Sequence, residues 1–115
     1  MPPLTDPERL EHYRSALSRW GCSYYVTYTQ LAAEWLRSEL GIGTREFSQL
    51  LWEYVVLREG RIDEVRETRD EYTGHEFHHD LRLEIDGRMI YVETRLLMET
   101  DIEDTTIKVV NVHDA

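Results

Sequence analysis

Between His75 and Leu97 the chain reads HEFHHDLRLEIDGRMIYVETRLL, two runs that alternate in polarity about Asp86-Gly87. A two-residue type I′ turn needs positive φ at both central positions. Asp tolerates this and Gly adopts it without steric cost. With the turn placed there, Ile85 faces Arg88, Leu83 faces Ile90, Leu81 faces Val92, His79 faces Thr94 and Phe77 faces Leu96. The other face pairs Glu84 with Met89, Arg82 with Tyr91, Asp80 with Glu93 and His78 with Arg95. A shift of one residue would exchange an apolar face for a charged one, so the register is specified by burial alone. Phe77, Leu81, Leu83, Ile90, Val92 and Leu96 are therefore expected in the core.

The rest of the chain supplies something for that apolar face to pack against. Asp6 caps a first helix, with Pro7 at its first position and a stripe of Leu10, Tyr13, Leu17 and Trp20 running to Gly21. Met1 to Thr5 reads as a loose end. The segment CSYYVTY, Cys22 to Tyr28, is rich in β-branched and aromatic residues and predicts a strand. Thr29 or Thr27 caps a second helix that buries Leu31, Trp35 and Leu36 and stops at Gly41. Thr44 caps a third, whose apolar face is Phe47, Leu50, Leu51, Tyr54 and Val55, and Gly60 stops it. The charged stretch from Arg61 to Tyr72 is read as an edge strand over Ile62 to Thr68, since charges protect an edge. An acidic loop, METDIEDTT, leads to a last strand, TIKVVNVHDA. Its apolar residues fall on both parities, which predicts a central strand covered on both faces. The pattern is an α+β domain spanning 1–115. Its N-terminal helices lie on one face of a C-terminal antiparallel sheet of about four strands.

With 23 acidic against 13 basic residues the net charge is −10. Neutralising phosphates drives nucleic-acid affinity, so an acidic field opposes it and suits a basic protein partner or simple solubility. The single Cys22 forms no internal disulfide, no run of about 18 apolar residues is present, and the N-terminus has no apolar leader. A cytoplasmic protein with no membrane contact is the simplest expectation.

Five sets of residues carry candidate chemistry. On the polar hairpin face, His78, Arg82, Tyr91, Glu93 and Arg95, with Asp80, supply the acid, base and cation that metal-independent RNA cleavage requires. They are equally what a solvated sheet face uses for cross-strand pairs. His75, His78, His79 and His113 lack zinc spacing, and His78 and His79 point to opposite faces, so neither a metal nor another cofactor is expected. Cys22 is expected as a buried inert thiol. Glu64, Glu67, Asp70 and Glu71, with Glu99, Asp101, Glu103 and Asp104, would form an acidic patch if the edge strand and the loop share a side. The aromatic residues Trp20, Tyr24, Tyr25, Tyr28, Trp35, Trp52 and Tyr54 are core or interface.

The order of YYVTYTQLAAEWL, LGIGTREFSQLLWEYV, Gly60, IDGRMIYVETRL and TIKVVNVHDA resembles the RelE-type fold of small bacterial toxin nucleases, in particular the BrnT-like families. The resemblance covers about residues 24 to 113 and leaves the first helix as an addition. It implies a ribonuclease acting through the hairpin face, or an inactive relative. Where those families place a His and an Arg near their first helix, this chain has Thr29 and Ala33. Two functions thus stand side by side. One is an acidic binding or regulatory module that meets a protein partner or a second copy of itself. The other is a RelE/BrnT-like ribonuclease with RNA as its partner. Whether the chain is an enzyme stays open between them.

Overall fold

The computed structural model describes residues 2–69 and 74–115. Among the described residues three α-helices, α1 (Pro7–Leu17), α2 (Gln30–Trp35) and α3 (Thr44–Trp52), accompany five strands. The strands are β1 (Val26–Tyr28), β2 (Ile62–Arg66), β3 (Phe77–Ile85), β4 (Arg88–Leu97) and β5 (Thr106–Asp114). They form one mixed sheet in the order β1-β5-β4-β3-β2, antiparallel except where β1 runs parallel to β5. The α+β class is as expected, with β1 as a fifth strand that the antiparallel reading did not include.

The hairpin register agrees with the expectation from His79↔Thr94 to Ile85↔Arg88. Asp86 and Gly87 take φ of 50° and 79°, as a type I′ turn requires. Beyond that stretch the expected His78–Arg95 pair is not among the ladder partners. His78 pairs with Val65 on β2, and Arg95 pairs with Lys108 on β5. Leu81, Leu83, Ile90 and Val92 are buried, while Phe77 and Leu96 are only partly so.

The mixed parity of β5 has a different origin from coverage on both faces. Thr94 pairs with Val109 and Glu93 with Asn111, so Val110 is an extra residue in a β-bulge. The bulge shifts the alternation by one. Ile107, Val109 and Val112 therefore all meet the helices. The bulge is held by the cap of α2. Thr29 N–H donates to the Val109 carbonyl (3.0 Å) and Thr29 Oγ1 donates to the Val110 carbonyl (2.8 Å). The same Oγ1 accepts from Ala32 N–H (3.2 Å). One threonine thus fixes the start of a helix and the kink of the strand beneath it.

The helices cover one face of the sheet. Tyr13 and Leu17 of α1, Ala32 of α2, Leu36 just after it, and Phe47 and Leu51 of α3 pack on the strands. The Tyr13 hydroxyl meets Thr94 Oγ1 at 2.7 Å, and Thr94 Oγ1 donates to the His79 carbonyl at 2.7 Å. The buried tyrosine is thereby satisfied where it crosses the hairpin.

Several local expectations give way to tertiary contacts. The N-terminal segment is not loose: Pro3 bridges Asp63, Leu4 N–H donates to the Ile62 carbonyl (2.7 Å), and Leu4 is buried. It covers part of the outer edge of β2. Helix α1 ends at Leu17, short of Gly21. Trp20 packs on Trp52 at 6.2 Å from the turn beyond it. The expected strand over Cys22 to Tyr28 contracts to Val26–Tyr28. Cys22 is exposed rather than buried, because its segment turns instead of pairing with β5. Leu31 is exposed on the outer side of α2. Gly43, not Thr44, is the N-cap of α3. Both α2 and α3 finish in a π-helical turn, Leu36–Leu40 and Glu53–Leu57, the first stopped by left-handed Gly41. The edge strand is Ile62–Arg66, shorter than expected but on the expected edge.

Candidate functional site

All five candidate residues, His78, Arg82, Tyr91, Glu93 and Arg95, lie on the face of the sheet away from the helices. That face has a row of carboxyl groups across it: Asp63 on β2, Asp80 on β3 and Glu93 on β4, ending at Asn111 on β5. Rows on either side supply their partners. Arg82 Nη1 donates to Asp63 Oδ2 (2.9 Å). His78 Nδ1 lies 2.9 Å from Asp80 Oδ1. Glu93 accepts from Asn111 Nδ2 (3.2 Å) and lies 2.9 Å from Arg95 Nη2. Asp80 and Glu93, adjacent carboxyl groups, are thus turned to different partners, His78 for the first and Arg95 with Asn111 for the second.

Arg95 and Glu93 are the most enclosed of the five. The side chain of Arg95 is 2% exposed and that of Glu93 is 5% exposed. Glu67 and Arg69 close a ring of alternating charge around them. Arg69 bonds Glu67 (Nε to Oε1, 3.0 Å) and reaches past β3 to Glu93, and Arg95 contacts both Glu67 and Glu93. In the sequence reading Glu67 figured only as a member of the candidate acidic patch, and Arg69 only as part of a charged stretch. Their opposite signs two residues apart were the only local trace of the ring. The four groups neutralise one another, which suits a structural network better than a site that must offer a free cation to a phosphate.

Hydrogen bonds from Arg69 hold the Glu67 carboxyl down to about 2. Burial pushes the Glu93 carboxyl up, but Arg69, Asn111 and Arg95 outweigh it and leave it below the usual range. Carboxyls depressed in the folded state contribute stability that is complete above their unfolded value and is lost as pH falls toward the folded one. Unfolding free energy is therefore expected to decline from about pH 4.5 toward pH 2. Urea titrations across that range should show a flatter decline for Glu67→Gln. An unchanged slope would remove Glu67 from the acid response.

The more exposed side chains form a second cluster. Arg82 lies over the Tyr91 ring at 5.3 Å, and His113 stacks on the same ring at 4.6 Å. Burial, and then the nearby Asp80, push the Tyr91 hydroxyl well above its usual range. With His78 beside Asp80, this cluster holds the base, cation and aromatic surface that the ribonuclease reading asks for.

On the helix side, a groove of about 510 Å³ opens where the start of α1 passes the beginning of β3 and the end of β4. Phe77, Leu96, Leu97 and Met98 line its apolar part; Asp6, Glu8, Glu76 and Glu99 bring four carboxyl groups, with Arg9 among them and Arg66 beside them, paired with Glu76 at 3.8 Å. Arg9 is already held by Glu64 in a two-point bond (2.9 Å each). His79 also lines the groove, and its residue is 2% exposed. Its Nε2 meets Glu64 Oε2 at 3.1 Å, while its buried Nδ1 has no hydrogen-bond partner among the described residues. Asp6 was read from sequence only as the cap of the first helix. Asp6 does cap α1, accepting from Arg9 N–H (2.9 Å), and the groove is a second consequence of where that helix start lands.

The candidate acidic patch loses two of its members to ion pairs. Glu64 and Glu67 are spent on Arg9 with His79 and on Arg69 with Arg95, and Asp70 and Glu71 lie outside the described residues. Among the described residues no three His, Cys, Asp or Glu side chains converge as metal ligands, and no helix is long and apolar enough to cross a membrane. His78 and His79 stand on opposite faces of β3, as strand geometry requires. Compared with known protein families, curated proteins and solved structures, the chain matches none.

Proposed function

We propose that this chain is a small acidic binding module that acts through contacts with another protein. The observation that carries the reading is the α1/β3/β4 groove, where exposed Leu97 and Met98 stand inside a rim of carboxylates. Exposed apolar side chains ringed by charge are what a docking surface offers, and the net charge of −10 steers a basic partner toward it. The mutual neutralisation of Glu67, Arg69, Glu93 and Arg95 supports the same reading, because it leaves two of the candidate catalytic residues engaged.

Affinity capture with the intact protein and with Met98→Ser tests it. A partner held by the first, released by salt and lost with the second is expected. Equal capture by both, or a monomer that retains nothing, would sink the reading.

The His78, Asp80, Arg82, Tyr91 and His113 cluster favours the second reading, a ribonuclease related to the RelE/BrnT-like toxins. Cleavage of RNA by the purified protein, abolished in His78→Ala and Arg82→Ala, is its required outcome. Intact RNA and unaffected growth on expression would end it.

A further inference from the structure

We infer that His79 is a pH-sensitive latch for the start of α1: a proton added to its buried ring loosens the hold of Arg9 and Tyr13 on β2 and β3. The latch goes beyond the binding-module reading, because it needs no partner and belongs to the chain by itself.

His79 sits where three elements meet. It belongs to β3, and Glu64 of β2 and Arg9 and Tyr13 of α1 contact it or its partner. Its Nε2 lies 3.1 Å from Glu64 Oε2, and Arg9 grips the same carboxylate at two points (2.9 Å each). The Tyr13 ring stands edge-on to the imidazole at 5.8 Å, and the Phe77 ring lies at 6.4 Å. A continuous antiparallel ladder joins β2 to β3. What ties α1 to this spot is side chains alone, the Arg9–Glu64 bond and the Tyr13 contacts with His79 and Thr94. The helix is therefore the element that can lift without breaking the sheet.

Glu64 is ionised at neutral pH: burial raises its carboxyl, but bonds from Arg9 and His79 bring it below the usual range. An ionised carboxylate only accepts, so His79 Nε2 donates to it, and a second proton must go to Nδ1. That nitrogen is buried and has no hydrogen-bond partner among the described residues. A proton there would be part of a buried cation with nothing to accept its N–H, and solvent supplies an acceptor only when the contact opens.

The surrounding charges do not reverse this. Burial is the largest influence on the ring and lowers it; Glu64 opposes, while Arg9 and His78 act with burial, and the ring is held below its ordinary value of 6.5. Thr94 of β4 is uncharged and engages the Tyr13 hydroxyl. Asp6, Glu8, Glu76 and Glu99 line the groove that His79 borders and leave the direction the same. The open form thus takes up its proton near pH 6.5 and the closed form only at lower pH. Above pH 6.5 the latch is at full strength. Below it, closure weakens by up to about tenfold per pH unit until the closed form protonates as well.

The test uses the full chain between about pH 8 and about pH 5. It follows the His79 ring resonances by NMR and amide hydrogen exchange corrected for the intrinsic effect of pH. The α1 amides are expected to lose protection by up to about tenfold per unit below pH 6.5, while those of β4 and β5 keep theirs. His79→Gln keeps a donor for Glu64 but cannot titrate, and should abolish the dependence. His12→Gln should leave it in place, although His12 is the buried histidine of α1 itself, bonded to Thr105 Oγ1 (2.7 Å). If His79→Gln does not fold, the wild-type ring resonances decide, and must report titration of His79 below pH 6.5. Titration at or above that value would overturn the latch. So would α1 protection that ignores pH, a loss shared equally by helix and sheet, or a dependence that survives His79→Gln or vanishes in His12→Gln.

Discussion

Replacing Arg95 with alanine is expected to cost about 3–5 kcal/mol of folding stability, the range for removing one member of a buried ion pair. The side chain lies 2.9 Å from Glu93 and also contacts Glu67, and all three side chains are at most 5% exposed. Without the guanidinium, the two enclosed carboxylates keep Arg69, which is itself 37% exposed, and Glu93 keeps the uncharged Asn111 amide. Water cannot replace the lost cation cheaply, so the penalty is the desolvation of a charge left short of partners. For a domain of this size the melting temperature should fall by roughly 10–20 °C. Urea unfolding at neutral pH measures the loss directly. Arg82→Ala is the comparison. Arg82 pairs with Asp63 from a half-exposed position, and such pairs are worth about 0–1 kcal/mol. Equal losses for the two variants would mean that the ring is no more than surface charge.

Gly60→Ala should be the second severe change, at about 1–3 kcal/mol, the usual range for overpacking. The reason is space and not backbone conformation. A Cβ at Gly60 would lie 2.4–2.6 Å from three ring carbons of Tyr54, closer than atoms can pack. The ring is held there by its hydroxyl, which donates to the Arg61 carbonyl (3.0 Å), while Gly60 N–H donates to the Tyr54 carbonyl (2.7 Å). Admitting the methyl group means expelling the ring and losing its hydrogen bond. A double-mutant cycle isolates the cause: in a Tyr54→Ala background, Gly60→Ala should cost almost nothing further. A penalty that persists there would place the strain elsewhere. The residue read as a helix stop is therefore a spacer. Glu59, at φ 52°, takes the left-handed turn after α3.

The elements that sequence read well are those whose signals are local and repeated. Asp86-Gly87 and the alternation around it placed seven cross-strand pairs of β3 and β4, because a slip would have exposed the core face. Asp6, and Thr29 as one of two candidates with Thr27, were legible as caps because such side chains bond backbone within the next turn. Misreadings arose where a residue answers to something distant. Leu4 looked free because its partner, Ile62, lies far along the chain. Val110 looked like one face of a doubly covered strand because a bulge, invisible in a single strand, had moved the alternation. Cys22 looked buried because aromatic neighbours imitate a strand.

The candidate site divides the same way. That His78, Arg82, Tyr91, Glu93 and Arg95 share one face followed from the two-residue period of a strand. Which of them stay accessible did not. Arg69 and Glu67 enclose Arg95 and Glu93 from outside the hairpin, while Arg82 remains at the surface. The groove was less legible still, since it joins Asp6 and Glu8 to Glu76 and Glu99 across most of the chain. Periodicity, turn chemistry and capping act over a few residues, and by themselves they determined the α+β class, the hairpin register and the polar face. Burial, pairing of charges and the spare nitrogen of His79 depend on which distant segments meet, and those only the folded chain decided.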